Sequence, residues 1–170
     1  MTVVQTQRLI LRRLTLDDAA FMLRLLNDAA WLQYIGDRGV RTLEAAREYL
    51  RTGAIDMYTR LGFGLYLVEL NSTHEPIGIC GLIKRDTLPD VDLGFAFLAQ
   101  FRGGGYAYES AAATLGYARA TLGMQRIVAI VSPENQRSIA LLEKLGFHFE
   151  QSLRLPPNEA RETSLFASNG

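Results

Sequence analysis

The sequence predicts an α+β fold in three layers. A mixed, mostly antiparallel central sheet contains one parallel β-α-β unit and is flanked by helices. Three observations carry this. Between Asp90 and Ser110, the residues Val91, Leu93, Phe95, Phe97 and Ala99 alternate with others, which is the period of a strand. Arg102-Gly103-Gly104-Gly105 then breaks the pattern, and an Ala-rich helical run follows from Tyr106 to Leu122. Gln125 to Val131 reads as a buried strand, and a crossover of this length makes the unit from Val91 to Val131 parallel and right-handed. Elsewhere strands and helices are partly segregated, so a regularly alternating doubly wound fold does not fit.

The other elements follow in order. Leu9 to Leu14 is a first strand. Thr15 with Asp18 supplies an N-cap and a first-turn acid for a helix running to about Asn27. Trp31 to Gly39 is aromatic and glycine-bearing and reads as a shaped loop. Thr42 with Glu44 opens a second helical region towards Tyr58, which Gly53 weakens or splits. Phe63 to Leu70 and Ile77 to Lys84 form a hairpin around Asn71 to Pro76. After Val131, the residues Ser132 to Asn135 stop the strand, and Gln136 to Leu145 makes a short helix closed by Gly146. Phe147 to Leu155 and Arg161 to Ala167 close the chain around Pro156-Pro157-Asn158.

Residues 1–170 are expected to form one domain, long enough for a real core. A 48% hydrophobic content argues for folding over disorder. Eighteen basic residues balance eighteen acidic ones, so there is no global basic field for nucleic acid. No apolar run approaches the roughly 20 residues of a membrane span. The start, Met1 to Gln5, lacks a basic segment and a long apolar segment, so no signal peptide is expected. A cytoplasmic protein, monomer or homodimer, is the expectation. Cys80 is the lone cysteine, which excludes an internal disulfide; between Ile79 and Gly81 it reads as a buried structural thiol. Two isolated histidines, His74 and His148, and one cysteine make no metal-ligand pattern, and no Ser-His-Asp triad stands out.

The glycine turn is the first chemical signal. A strand, a turn and a helix in that order gather free backbone N–H groups at one helix N-terminus. Those donors and the positive end of the dipole suit a phosphate. The turn is not a P-loop, because Tyr106-Ala107 stands where Lys-Ser or Lys-Thr would. It also lacks the Gly-x-Gly-x-x-Gly spacing of dinucleotide folds. Three glycines in a flexible turn are the plain alternative.

The run Asn135 to Phe147, Asn-Gln-Arg-Ser-Ile-Ala-Leu-Leu-Glu-Lys-Leu-Gly-Phe, resembles the GNAT superfamily of acyl-CoA-dependent N-acyltransferases. Arg102-x-x-Gly105-x-Ala107 resembles that family's diphosphate-binding motif, and Glu109 also fits. The start, Thr6-Gln7-Arg8-Leu9-Ile10-Leu11-Arg12, is similar to the branch that contains the ribosomal-protein N-terminal acetyltransferases. The resemblance implies the GNAT fold and acetyl-CoA as acyl donor, with no metal. It implies coenzyme A contacts at Phe97, Leu98, Arg102, Gly103, Gly104, Gly105, Tyr106, Ala107, Asn135 and Ser138. It also implies a pantetheine arm lying between the splayed strands that start near Val91 and Arg126. Many relatives carry Lys or Arg at the position of Gly104, so here the phosphates are left to backbone groups and Arg102.

The catalytic candidates are Ser138 and Asp92. Ser138 is placed to hydrogen-bond the leaving thiolate; a solvated first-turn serine is the alternative. Asn135 has an N-cap as its alternative, and both roles can coexist. Asp92 shares a strand face with Gly94, Ala96 and Leu98, small residues that leave room for an acceptor or for a close-packed helix. As a base it would draw a proton from the amine through water; plain exposure near a strand start is the alternative. A peptide α-amine has a pKa of about 7.7–8.0, against about 10.4 for lysine, so a weak base suits it. The acceptor is therefore expected to be a peptide or protein N-terminus. A small amine (polyamine, amino acid or aminoglycoside) is the alternative in the same class, and a non-catalytic acyl-CoA-binding module is another. Tyr34, Asp37, Arg38, Tyr58, Tyr66 and Glu69 are candidates for the acceptor wall. Glu143-Lys144 reads as a solvated face, and Glu109 as a capping carboxylate.

Overall fold

The computed structural model describes residues 1–156 and 159–170. Pro157 and Asn158, in the expected closing turn, lie outside the described residues. Eight strands form one sheet: β1 (Thr2–Gln5), β2 (Leu9–Arg13), β3 (Leu65–Leu70), β4 (Pro76–Ile83), β5 (Asp92–Phe97), β6 (Ile127–Val131), β7 (His148–Leu153) and β8 (Thr163–Ser168). Their order across the sheet is β1-β2-β3-β4-β5-β6-β8-β7. Every neighbouring pair is antiparallel except β5–β6, which is parallel as the crossover required.

Six α-helices cover the sheet: α1 (Ala19–Leu26), α2 (Ala29–Tyr34), α3 (Leu43–Leu50), α4 (Asp56–Leu61), α5 (Tyr106–Ala120) and α6 (Gln136–Lys144). Strand alternation divides most of the apolar residues between two large cores, and a smaller cluster gathers Leu88, Val128, Leu165 and Ala167. Tyr66, Cys80, Leu93 and Phe97 pack against Ala111 and Leu115 of α5. Leu67, Ile79 and Leu98 face the other way, onto Met22 and Leu25 of α1 and Ala46 and Leu50 of α3. Cys80 is fully buried and burial pushes its thiol up to about 11, so it is an inert core group.

Local chemistry fixes the helix ends. The Thr15 hydroxyl accepts the Asp17 N–H, and the Asp18 carboxylate accepts the Thr15 N–H at 2.8 Å, a capping box. Arg12 clamps that carboxylate and also Glu69 on β3. Thr42 caps α3 through the Ala45 N–H. The helical region is not split at Gly53. It widens into one π turn, Arg51–Ile55, and continues as α4 until Gly62, whose φ of +80° ends it.

Two elements differ from expectation. The strand β1 is short and lies at the sheet edge, with only Val3 and Val4 partly covered, so its pattern carries no core signal. The expected loop from Trp31 to Gly39 begins as helix α2, capped by Asp28 through the Ala30 N–H, with Trp31 as its one buried residue.

Candidate functional site

The strands β5 and β6 pair at a single register position, Asp92 opposite Val128, where the Val128 N–H donates to the Val91 carbonyl at 3.0 Å. Beyond it they part. The gap opens into a cavity of about 580 Å³, a size that suits a ligand pocket. Gly94, Phe95 and Ala96 of β5 line it, as do Ala129, Ile130 and Val131 of β6. Both strands thus present unpaired backbone edges to the same space. An extended amide-bearing arm can add there as a strand would.

At its inner end β5 carries Asp92. The carboxylate is 1% exposed, so the exposed alternative does not hold. Arg85 Nε donates to its Oδ2 at 2.9 Å. Burial raises the Asp92 pKa, and Arg85 offsets only part of that rise. The small face Asp92-Gly94-Ala96 borders the cavity. Phe97 and Leu98 are instead buried on opposite sides of the sheet, in the two cores, and neither is among the residues lining the cavity.

Across the gap, α6 begins. The Asn135 side-chain oxygen accepts the Ser138 N–H at 3.3 Å, so Asn135 is the N-cap and also lines the cavity. Ser138 lines it too, half-buried, and no described residue bonds its hydroxyl. Helical spacing puts Asn135 and Ser138 on one side of the α6 start, and the pairing of β5 with β6 puts Asp92 on the same cavity.

The glycine turn lies at the far end of β5, past one turn of 3-10 helix, Ala99–Phe101. Gly103 and Gly105 adopt φ of +86° and +83°, conformations that L side chains rarely take. Gly105 is the N-cap of α5 and no side chain caps it. The first helical N–H bond runs from Glu109 to the Gly105 carbonyl, so the amides before Glu109 in that turn have no helical partner. This is an open anion cradle of the kind a diphosphate fits. Arg102 does not point its charge there. Its Nη2 donates to Asp28 Oδ2 and to the Phe97 carbonyl, each at 2.6 Å, which ties the turn to the start of α2. Among the described residues Arg137 of α6 has no ion-pair partner, and its Nη2 stands 3.9 Å from where a Cβ on Gly103 would be. Sequence reasoning missed it, because only the fold brings α6 beside the turn.

Arg8 is the second missed residue. Its Nε pairs with Glu109 Oε1 at 2.7 Å, its Nη1 donates to the Gly104 carbonyl at 2.9 Å, and its guanidinium lies 4.4 Å from the Tyr106 ring centre. Glu109 Oε2 also accepts from the Thr6 hydroxyl and the Arg8 N–H. The Thr6–Arg8 turn is thus a brace on the cradle, and Glu109 is structural. Burial pushes the Glu109 carboxyl up, but the hydrogen bonds from Thr6 and Arg8 outweigh it and hold the group below its usual range. A lowered carboxylate stabilises the fold above its ordinary pKa, and that stability is lost as pH falls through the lowered value. Glu109→Gln should therefore cost about 1–3 kcal/mol at neutral pH, read as a drop of several degrees in Tm. The gap between wild type and variant should close as pH is lowered below the carboxylate range. An equal Tm difference at neutral and acidic pH would remove Glu109 from this role.

Of the acceptor-wall candidates, Tyr34, Asp37 and Arg38 line the cavity. Tyr58, Tyr66 and Glu69 do not line it. Tyr58 and Tyr66 stack in the core with ring centres 5.8 Å apart, and the Tyr58 hydroxyl accepts the Leu14 N–H and donates to the Leu65 carbonyl. Glu69 is buried against Arg12 and His74. Among the described residues, no group of three His, Cys, Asp or Glu side chains is placed to hold a metal. No described helix is long and apolar enough to cross a membrane.

This arrangement, a splayed parallel pair beside an uncapped glycine turn, belongs to acyl-CoA-dependent transferases. The family model for the acetyltransferase (GNAT) domain matches residues 8–148, and the chain belongs to that family and is an acyltransferase. Among curated relatives, it is 28% identical to the uncharacterized protein YkkB of Bacillus subtilis over 158 residues, 90% of this chain and 89% of that one. It is also 28% identical to the uncharacterized N-acetyltransferase YoaA of Bacillus subtilis, over 89% of this chain and 86% of that one. Among solved structures, an acetyltransferase from Agrobacterium tumefaciens superposes with a TM-score of 0.82 at 24% identity, covering 100% of this chain and 95% of that one. RimL, a ribosomal L7/L12 α-N-protein acetyltransferase in complex with coenzyme A, gives 0.81 at 22% identity, covering 99% and 98%. A spermidine N-acetyltransferase chimera from Vibrio cholerae and a second protein gives 0.77 at 19%, covering 95% of each. At these identities the structures establish the fold and leave the acceptor open.

Proposed function

We propose that residues 1–170 form one N-acetyltransferase domain. It moves an acetyl group from acetyl-CoA to the α-amine of a peptide or protein N-terminus by direct attack. The observation that supports this best is the parting of β5 from β6 beyond Asp92 and Val128, with Asp92 and Ser138 lining one cavity and the Gly103–Gly105 cradle at the end of β5. When bound, acetyl-CoA supplies an acyl group already activated as a thioester, so no covalent enzyme intermediate is needed. The amides at the start of α5 hold the diphosphate, with Arg137 as the nearby cation. The free edges of β5 and β6 hold the pantetheine arm. The Ser138 hydroxyl donates to charge developing on the sulfur. Asp92 takes the amine proton through water, and its raised pKa brings it closer to the pH at which an α-amine loses its proton. Holding both reactants in one slot supplies about 7–11 kcal/mol of rate enhancement in favourable cases. A buried, lone thiol accords with a reducing, cytoplasmic setting.

The test is thiol release with acetyl-CoA and short peptides, with mass spectrometry of the products. Unblocked peptides should be acetylated at the α-amine, and blocked peptides with internal lysines should not. The rate should rise with pH as the α-amine, of pKa about 7.7–8.0, becomes neutral. Acetyl groups found only on lysine side chains, or turnover of polyamines alone, would overturn the choice of acceptor.

A further inference from the structure

The cavity that holds Asp92 and Ser138 has a second charged region, at the loop after α2. Among its lining residues the charged groups are Asp37, Arg38, Arg85, Asp92 and Arg161. Two of these five neutralise each other, since Arg85 pairs with Asp92. Asp37 is taken by Arg41, at 2.6 Å. Arg38 and Arg161 remain. Arg38 Nη1 and Arg161 Nη1 each stand 3.9 Å from where a Cβ on Gly36 would be, which puts the two guanidinium nitrogens within roughly 8 Å of each other beside that glycine.

Among the described residues no carboxylate pairs with either. Arg161 Nη2 donates to the carbonyls of Gln33 and Tyr34, at 3.0 and 2.6 Å, which anchors it against the end of α2. Glu134 feels the Arg161 charge, but its carboxyl is bonded by the Ser132 hydroxyl. Glu162 borders the adjacent recess with Arg161 and forms no ion pair with it. Arg38 has no described hydrogen-bond partner, so no structural duty accounts for it. Both guanidinium groups carry positive charge towards the same space, and an anion between them interacts favourably with both. Two planar forks also match the geometry of a carboxylate.

We propose that Arg38 and Arg161 form an anion subsite for the acceptor, and that the enzyme prefers amines that also carry a carboxylate. This rests on the acetyltransferase reading above. The amine lies at the Asp92 and Ser138 end of the cavity and the carboxylate at the Gly36 end. A free amino acid and a peptide with an acidic side chain near its N-terminus share this chemistry. A polyamine does not, because its second ammonium would face two arginines.

The test uses the full chain, acetyl-CoA and matched acceptors: alanine against alanine amide, and Ala-Glu-Ala amide against Ala-Gln-Ala amide, with spermidine as the cationic arm. The carboxylate member of at least one pair should show a kcat/KM roughly tenfold or more above its neutral twin, and the pair that responds identifies the source. Arg38→Gln should bring that ratio to within about twofold, and Arg38→Lys should keep part of it. Equal rates within both pairs, or a preference for spermidine, overturn the subsite while leaving the acetyltransferase reading intact. If no acceptor releases thiol, that reading is what fails. The subsite is then decided by calorimetry in the presence of coenzyme A, with N-acetyl-alanine and N-acetyl-glutamate against their amides. Tighter binding of an acid that Arg38→Gln abolishes supports it, and equal binding of acids and amides overturns it.

Discussion

Gly105→Glu is expected to weaken acetyl-CoA binding at least a hundredfold, about 2.7 kcal/mol, with the fold retained. Gly105 is the N-cap of α5 with φ of +83°, and the amides behind it are the free donors of the cradle. A glutamate there acts in three ways. Its carboxylate meets the diphosphate with like charge. Its bulk covers the donors. Its Cβ would stand 3.2 Å from Arg8 Nη2 and crowd the guanidinium that holds Glu109 and the Gly104 carbonyl. The left-handed backbone adds about 1–2 kcal/mol of local strain. Because Arg8 contributes the far end of a flexible side chain, the sheet need not move. Gly105→Asn is the control, since asparagine tolerates this φ and adds no charge; it should retain most of the affinity. Calorimetry with acetyl-CoA reads both, and unchanged binding by the glutamate variant would remove the cradle from the donor site.

The sequence carried the line from Asp90 to Phe147 well, and the reason is physical. Alternation in Val91 to Phe97, a glycine turn and an Ala-rich helix are local signals, and each survives in the fold because β5 and α5 are built from contiguous residues. The expectations that misplaced residues concerned relations between distant segments. Tyr66 and Glu69 sit on β3 at positions whose facing depends on its register with β2 and β4, so a strand pattern alone left them as plausible cavity residues. The burial of Asp92 comes from its neighbours, Arg85 in the preceding loop and Val128 on β6. The engagement of Arg102 with Asp28 joins residues 74 apart in sequence, and no local pattern announces it. The same holds for Arg137 beside Gly103 and for Arg8 on Glu109.

The hydroxyl of Ser138 should carry the largest effect on turnover. Ser138→Ala is expected to lower kcat roughly ten- to a thousandfold, the range for removing one donor to developing negative charge. The KM for acetyl-CoA should change much less, because the bond matters mainly once the sulfur gains charge. The structure separates this from a structural role. What the helix uses is the Ser138 backbone N–H, bonded to the Asn135 side chain, and alanine keeps that amide. Alanine is also the better helix former, so α6 should be at least as stable and Tm should not fall. The hydroxyl itself has no described partner and borders the cavity between β5 and β6. A purely solvated serine would therefore leave kcat untouched. If Ser138 acts on the leaving thiolate, the loss should shrink with an acyl donor whose thiol is more acidic, since less charge then needs a donor. Wild-type kcat in the variant with a good acceptor, or an equal loss for both donors, would return Ser138 to an ordinary first-turn residue.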